Sequence, residues 1–276
     1  MQFRELLNYR VNFATVILFL TFVIGLSLNL FYSIITNQIN LFQILISIFL
    51  YNCAFTIWHE AAHKNIFRKE FKKLNSTVGI VTSFFNLNPN FFSLRHDHLL
   101  HHTDTLDEVK DRTFPRLEGS IINIPLGILK EMFTRKEYSK SYGLKNYNEK
   151  IIDKISFFVL LISIITLIFF GYGWNFFLLM LLPRLIILPI HTLYVCYMPH
   201  INLEKKTNKS SRNLIINKIM QYFIFFHNYH GVHHLVPTLP WNKYEQYYLK
   251  NKDYFDNELA ENENFTELFK KQFSKN

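Results

Sequence analysis

Four long apolar runs, joined in pairs by short loops without a charge, leave this chain few folds to choose from. Val11 to about Ile35 and Leu41 to Trp58 flank the polar stretch TNQIN, and Ile155–Phe170 and Phe176–Met198 flank GYGWN. Arg184 and His191 are the only interruptions that bear on the last run. About 20 apolar residues cross ~30 Å of hydrocarbon, and only helices satisfy their own backbone groups there within a single segment. The expected class is an all-α integral membrane protein with four transmembrane helices in two hairpins, spanning about 11–35, 41–58, 155–170 and 176–198. The run after Arg10 is too long for a signal-peptide core and is followed by no small-residue cleavage site, so it is expected to be retained.

Charge orients the hairpins. The loops 36–40 and 171–175 hold no Lys or Arg, whereas the termini and the central region hold almost all of the 30 such residues. The positive-inside rule then puts both termini and the middle of the chain in the cytoplasm. The expectation is one domain over 1–276, with a cytoplasmic helical cap from 59–150 and 199–276. Residues 78–94 are apolar but interrupted by Asn86, Asn88, Pro89 and Asn90, which predicts an interfacial segment rather than a span. Residues 121–150 read as an amphipathic helix leading into a polar connection. The net charge of +9 fits an anionic membrane surface or an acidic protein partner. No basic helix with interleaved polar readers occurs, so no nucleic-acid partner is expected. Cys53 and Cys196 lie in apolar runs without a CxxC pattern and read as membrane-packed thiols.

The chemistry is concentrated in three windows. His59 and His63 are four apart; His98, His101, His102 and His230, His233, His234 repeat the spacing 0, 3, 4. These 15 residues hold 8 of the 12 histidines. In a helix such spacing makes neighbours on one face, and neutral imidazoles are good ligands for iron, zinc, copper or nickel. Eight exceed what one tetrahedral zinc uses, so two metal ions are the simpler accounting. A carboxylate-bridged di-iron bundle would carry Glu-x-x-His on two helices with further glutamates, and that set is not present. His200 ends the fourth apolar run at the same depth and is read as a ninth ligand. His96, His191 and His227 fall outside the spacing and are assigned to hydrogen bonding.

Two other classes compete. His59-Glu60-Ala61-Ala62-His63 matches the H-E-x-x-H of zinc proteases, with Glu60 as general base, but that reading leaves the six histidines of the other two windows without a task. A metal transporter would carry ionisable ligands in mid-span, where only Arg184 and His191 qualify.

The arrangement resembles the membrane fatty acid desaturase superfamily over about residues 10–250. Its signature is one HxxxH box, here His59–His63 with Asn75 following, and two HxxHH boxes, here His98–His102 preceded by Arg95, and His230–His234. Within it the chain is most similar to desaturase-like beta-carotene 3-hydroxylases, through Tyr197-Met198-Pro199-His200 and the string NYHGVHHLVPTLPWNKYEQYY. Asp107 and Asp111 match two acidic positions of their tract after the second box. Leu106 stands where that tract has Asn, and Glu108 where it has Pro. One extra residue separates Arg95 from His98. Fatty acyl desaturases share the NYHxxHH-L-x-P ending.

The resemblance implies two irons held by the boxes plus His200, O2 activation, and oxidation of an unactivated C–H bond. Hydroxylation of the beta-carotene ring is the first expectation and fatty acyl desaturation the alternative. The substrate is expected to be an apolar carotenoid or acyl chain reaching the site from the bilayer. Carboxylates such as Asp97 or Asp107 are expected to orient imidazoles. No flavin, haem or Fe–S motif is visible, so electrons are expected from a small acidic carrier such as a ferredoxin docking on the basic cap.

Overall fold

The computed structural model describes residues 8–114, 126, 146–205 and 207–273. The amphipathic helix expected over 121–150 falls almost entirely outside them. The chain divides into two compact units.

The first unit, Tyr9–Leu94 with Lys145–Ile190, contains most of the membrane-crossing length. Four helices are long and apolar enough to span: α1 Phe13–Thr36, α2 Leu41–Ala62, α5 Tyr147–Phe169 and α6 Gly173–Tyr197. At 1.5 Å per residue, their 22–25 residues reach about 33–38 Å, enough for ~30 Å of hydrocarbon with some tilt.

The first hairpin closes as a short cap. Asn37 takes a left-handed conformation at φ 50°. Asn40 and Gln43 then form a reciprocal capping box, Gln43 N–H donating to Asn40 Oδ1 (3.0 Å) and Asn40 N–H to Gln43 Oε1 (2.9 Å), which satisfies two helix-end groups without water. Asn29 Nδ2 donates to Gln43 O (2.8 Å) and Ser47 Oγ (3.0 Å), and Asn175 Nδ2 to Ser33 Oγ (3.0 Å). These buried or half-buried amides fix neighbouring spans where apolar lipid supplies no hydrophobic drive. The outward residues of α1 and α5, among them Phe13, Ile17, Leu28, Phe158, Ile162 and Phe169, are exposed, as lipid-facing positions are.

Two ends differ from the expected spans. Helix α2 runs past Trp58 to Ala62, so His59 lies within it, and the chain turns out at Lys64 with φ 59°, a left-handed stop. Helix α5 starts eight residues before Ile155 because its first turns are polar, and Asp153 there is buried.

The segment 78–94 contains no span. It holds most of α3, Leu74–Phe85, and the start of α4, Phe91–Thr103. Asn75 ties the preceding loop, accepting from Ile66 and Phe67 N–H (both 3.1 Å) and donating to Phe67 O (2.7 Å) and Lys72 O (2.8 Å). Gly79 lets the Phe91 ring lie against α3, since a Cβ there would come within 2.1 Å of that ring. Helix α6 carries Pro189 and has π-helical segments at Phe177–Leu181 and Thr192–Tyr197, the kind of adjustment that accommodates a proline lacking its N–H.

The second unit comprises Arg95–Leu144 and His191–Asn276 with the first eight residues. Its described helices after α6 are short: α7 Lys218–Phe223, α8 His230–Leu235, α9 Tyr244–Lys250, α10 Lys252–Glu258 and α11 Phe265–Phe273. A two-residue parallel pair joins β1, Leu214–Ile215, to β2, Glu263–Asn264. Val232, Val236, Leu239, Tyr244, Tyr247 and Phe255 form one buried cluster, and Leu106, Tyr197, Met198, Ile201, Leu214 and Leu268 another.

Candidate metal centre

Seven of the nine proposed ligands lie in the second unit and fall into two sets. His98, His102 and His233 each offer a ring nitrogen within 4.8 Å of the others, and His101, His200, His230 and His234 do the same. The sets adjoin, with the His102 and His234 rings 4.3 Å apart. The HxxHH spacing is divided between them. Box two gives its i, i+4 pair, His98 and His102, to the first set and its middle histidine to the second. Box three does the reverse, with His230 and His234 in the second set and His233 in the first. Two helical turns therefore supply two adjacent sites. In the other unit, His59 and His63 at the end of α2 form a pair of their own, ring centroids 4.9 Å apart.

Backbone packing explains the third box. Gly231 N–H donates to Arg212 O (3.1 Å) and Val232 N–H to Asn213 Oδ1 (3.1 Å), so the start of α8 is tied to the 212–214 segment. Asn228 completes the tie by accepting from Leu214 N–H at its carbonyl (2.8 Å) and donating to Leu214 O from its amide (3.1 Å). A Cβ on Gly231 would lie 2.8 Å from Leu259 Cδ1 and 3.1 Å from the Arg212 carbonyl carbon. A larger residue there would have to push Leu259 aside and crowd the Arg212 backbone. Pro237 follows α8.

Three rings are aimed through Nδ1. His101 Nδ1 lies 2.8 Å from Asp111 Oδ2, and the same carboxylate accepts from the Leu106 and Thr113 N–H groups (both 2.9 Å) and the Thr113 hydroxyl (2.6 Å). Burial opposes a charge on Asp111, yet the His101 imidazole and these donors hold its carboxyl below the usual range. His200 Nδ1 sits 2.7 Å from Ser210 O, and Tyr244 Oη 3.0 Å from His233 Nδ1. Sequence reasoning named Asp97 and Asp107 for the orienting task. In the structure Asp111 holds that place on His101, while Asp97 pairs with Arg112 and Asp107 caps the Val109 and Lys110 N–H groups. Leu106, in the turn that donates to Asp111, is held at φ 64°, a conformation asparagine adopts more readily than leucine.

The second set fits a cation. A carbonyl only accepts, so His200 carries its proton on Nδ1 and presents a bare Nε2. His101, facing the Asp111 carboxylate, likewise donates from Nδ1. His230 Nε2 lies 2.9 Å from His200 Nε2 and 3.0 Å from His234 Nε2, and His233 Nε2 lies 2.8 Å from His102 Nε2. A single proton between these nitrogens can serve only one of the two His230 contacts and leaves the other without a donor aimed along it. Metal–imidazole bonds of about 2.1 Å meeting at right angles place nitrogens about 3.0 Å apart, the spacing seen. His230 Nδ1 is buried without a hydrogen-bond partner among the described residues. Burial first, then neighbouring imidazoles, pushes His200 down to about 3 and His230 and His234 well below their ordinary value. The rings are thus kept neutral, the form that ligates.

Among the other histidines, His227 is buried against the Tyr244 ring at 6.0 Å, and burial lowers its pKa to about 3. It stands behind the tyrosine that meets His233. Glu60, which follows His59 in box one, is fully buried. The orienters Tyr244, Thr113 and Ser210 O were missed from the sequence. Tyr244 had a signal, lying in the quoted tail eleven residues after His233, but a main-chain carbonyl carries none.

No curated protein matches the chain. The model of the fatty acid desaturase family matches residues 37–262, which takes in all three histidine boxes, His200 and the spans α2, α5 and α6. By that match, the chain belongs to the fatty acid desaturase family.

Proposed function

We propose that this chain is a membrane di-iron oxidoreductase that uses O2 to oxidise an apolar lipid. His101, His200, His230 and His234 hold one iron, and His98, His102 and His233 the other, with His59 and His63 completing the nine ligands. The observation that carries the reading is the convergence of seven imidazole rings in two adjoining sets within a chain of this family. For His59 and His63 the support is their i, i+4 pairing at the end of α2 and the first-box match.

When bound, the iron pair would supply reductive activation of O2, converting C–H to C–OH or two adjacent C–H bonds to C=C. Burial keeps His200, His230 and His234 neutral, and the protein's further part is to aim the imidazoles. Asp111, Ser210 O and Tyr244 do so by taking up three Nδ1 positions. Electrons come from a small acidic carrier such as a ferredoxin, supported by the net charge of +9 and the lack of any flavin, haem or Fe–S motif. Both termini and the histidines face the cytoplasm, supported by the uncharged hairpin loops.

Hydroxylation of the beta-carotene ring is the favoured reaction, from the Tyr197–His200 segment and the tail of box three. The second reading, fatty acyl desaturation, is favoured by the family that matches. Expression in a bacterial strain that accumulates beta-carotene, with pigments and membrane acyl chains analysed together, separates them. New 3-hydroxylated carotenoids, missing from a His233→Ala control, support the first. New acyl double bonds with unchanged pigment support the second. His98→Ala, His102→Ala, His233→Ala and His234→Ala are each expected to abolish iron loading while still inserting in the membrane; wild-type turnover in any of them would sink the ligand assignment. Glu60→Gln is expected to leave measurable oxidation, whereas a protease using Glu60 as base would lose nearly all activity.

A further inference from the structure

An open pocket, about 490 Å³ with the solvent at its mouth included, lies beside the two histidine sets, within the same unit, with His102 of one set and His234 of the other in its lining. Its walls carry hydroxyls. Thr105 Oγ1 lies 3.5 Å from His234 Nδ1, and the Ser210 carbonyl is the partner of His200 Nδ1. Ser211 is fully buried, and its Oγ has no hydrogen-bond partner among the described residues. A buried hydroxyl of this kind calls for a water or an ion.

The rim carries charges of both signs, with Lys205 and Lys209 flanking Thr207 and Asn208. Exposed Thr207 donates from Oγ1 to Glu204 Oε2 (3.5 Å), exposed Asn208 from Nδ2 to Glu258 Oε2 (3.1 Å), and Thr103 from Oγ1 to Asp104 Oδ2 (3.0 Å). Asp104 also meets Lys110 Nζ at 3.1 Å, and Lys205 pairs with Glu108, so the mouth is polar rather than acidic. Among the described residues no lysine or arginine lines the pocket, although the chain has 30. A hydrated divalent ion sheds water most easily where protein oxygens replace it.

We propose that this pocket is the loading route by which hydrated ferrous iron reaches the centre. It passes the mouth at Thr207 and Asn208, then the Thr105 and Ser211 hydroxyls, and first meets imidazole at His102 and His234. The route rests on the reading of the histidines as an iron site, and it involves no redox step. A route differs from a ligand in one measurable way: it sets the rates of entry and exit alike and leaves the final occupancy unchanged.

The test uses the full chain purified in detergent and stripped of metal. Three quantities are measured anaerobically: the rate of Fe2+ uptake, the rate of extraction by a chelator, and the final iron per chain. Thr207→Trp, which fills the mouth, is expected to slow uptake and extraction by the same factor with unchanged final iron. Asn208→Trp, at the same mouth, is expected to slow both rates in the same way. Wild-type rates in both variants overturn the route. A reduced final iron content also overturns it, because the pocket then supplies ligands. A wild-type chain that takes up no iron refutes the metal reading itself, whatever the variants do.

Discussion

At the scale of single residues, the site is decided less by the histidines than by what holds their second nitrogens. Asp111 is the strongest case, a buried carboxylate with four protein donors, one of them His101. Asp111→Asn keeps the shape but loses the charge that favours Nδ1–H on His101. It is expected to weaken iron binding about 10–100-fold in a competition titration, with overall folding retained. Tyr244→Phe removes one hydrogen bond to His233 and is expected to cost less. Unchanged affinity in Asp111→Asn would show that His101 needs no carboxylate to be aimed. The ligand candidates were legible because eight of them occupy 15 residues. Their partners were not. Asp111 is ten residues from His101 in a tract with several acids, and the partner of His200 is a backbone carbonyl, which no sequence pattern marks.

At the scale of elements, a few buried polar and glycine contacts fix the helices that carry the boxes. Asp153, in the polar start of α5, accepts from Phe92 N–H (3.1 Å), Ser93 N–H (2.9 Å) and Ser93 Oγ (2.7 Å), and so caps the N-terminus of α4. Helix α4 then runs on to His98, His101 and His102. Losing such a cap costs about 1–2 kcal/mol, so Asp153→Ala is expected to lower the melting temperature in detergent, with Asp153→Asn falling between it and wild type. A melting point unchanged in Asp153→Ala would mean that the cap is dispensable. Gly231→Ala is expected to destabilise by about 1–3 kcal/mol through overpacking against Leu259 and Arg212; chemical unfolding in detergent measures it, and wild-type stability would contradict the close approach. Hydropathy located all four spans, because long apolar runs are the strongest signal a sequence carries. It missed the first two turns of α5, where Glu149, Lys150, Asp153 and Lys154 mask helical continuity, and it missed the π-helical stretches of α6, which depend on how a proline is accommodated.

At the scale of the whole molecule, the two hairpins, the charge-free loops and the histidine sets make one functional proposal. Cysteines introduced at Gln38 and Tyr172 are expected to react with an impermeant thiol reagent from the side opposite to one introduced at Lys209; labelling of all three from one face would overturn the proposed orientation. Docking of an acidic electron carrier predicts turnover that falls as ionic strength rises, and a flat salt profile with ferredoxin would remove that partner. The central claim is that this chain holds two irons on nine imidazoles. The most direct measurement is metal analysis of the chain purified from iron-supplemented cells, alongside His101→Ala and His102→Ala, which strike one set each. The account predicts two irons per wild-type chain and clear loss of iron in both variants. A single zinc per chain that survives both substitutions would contradict it.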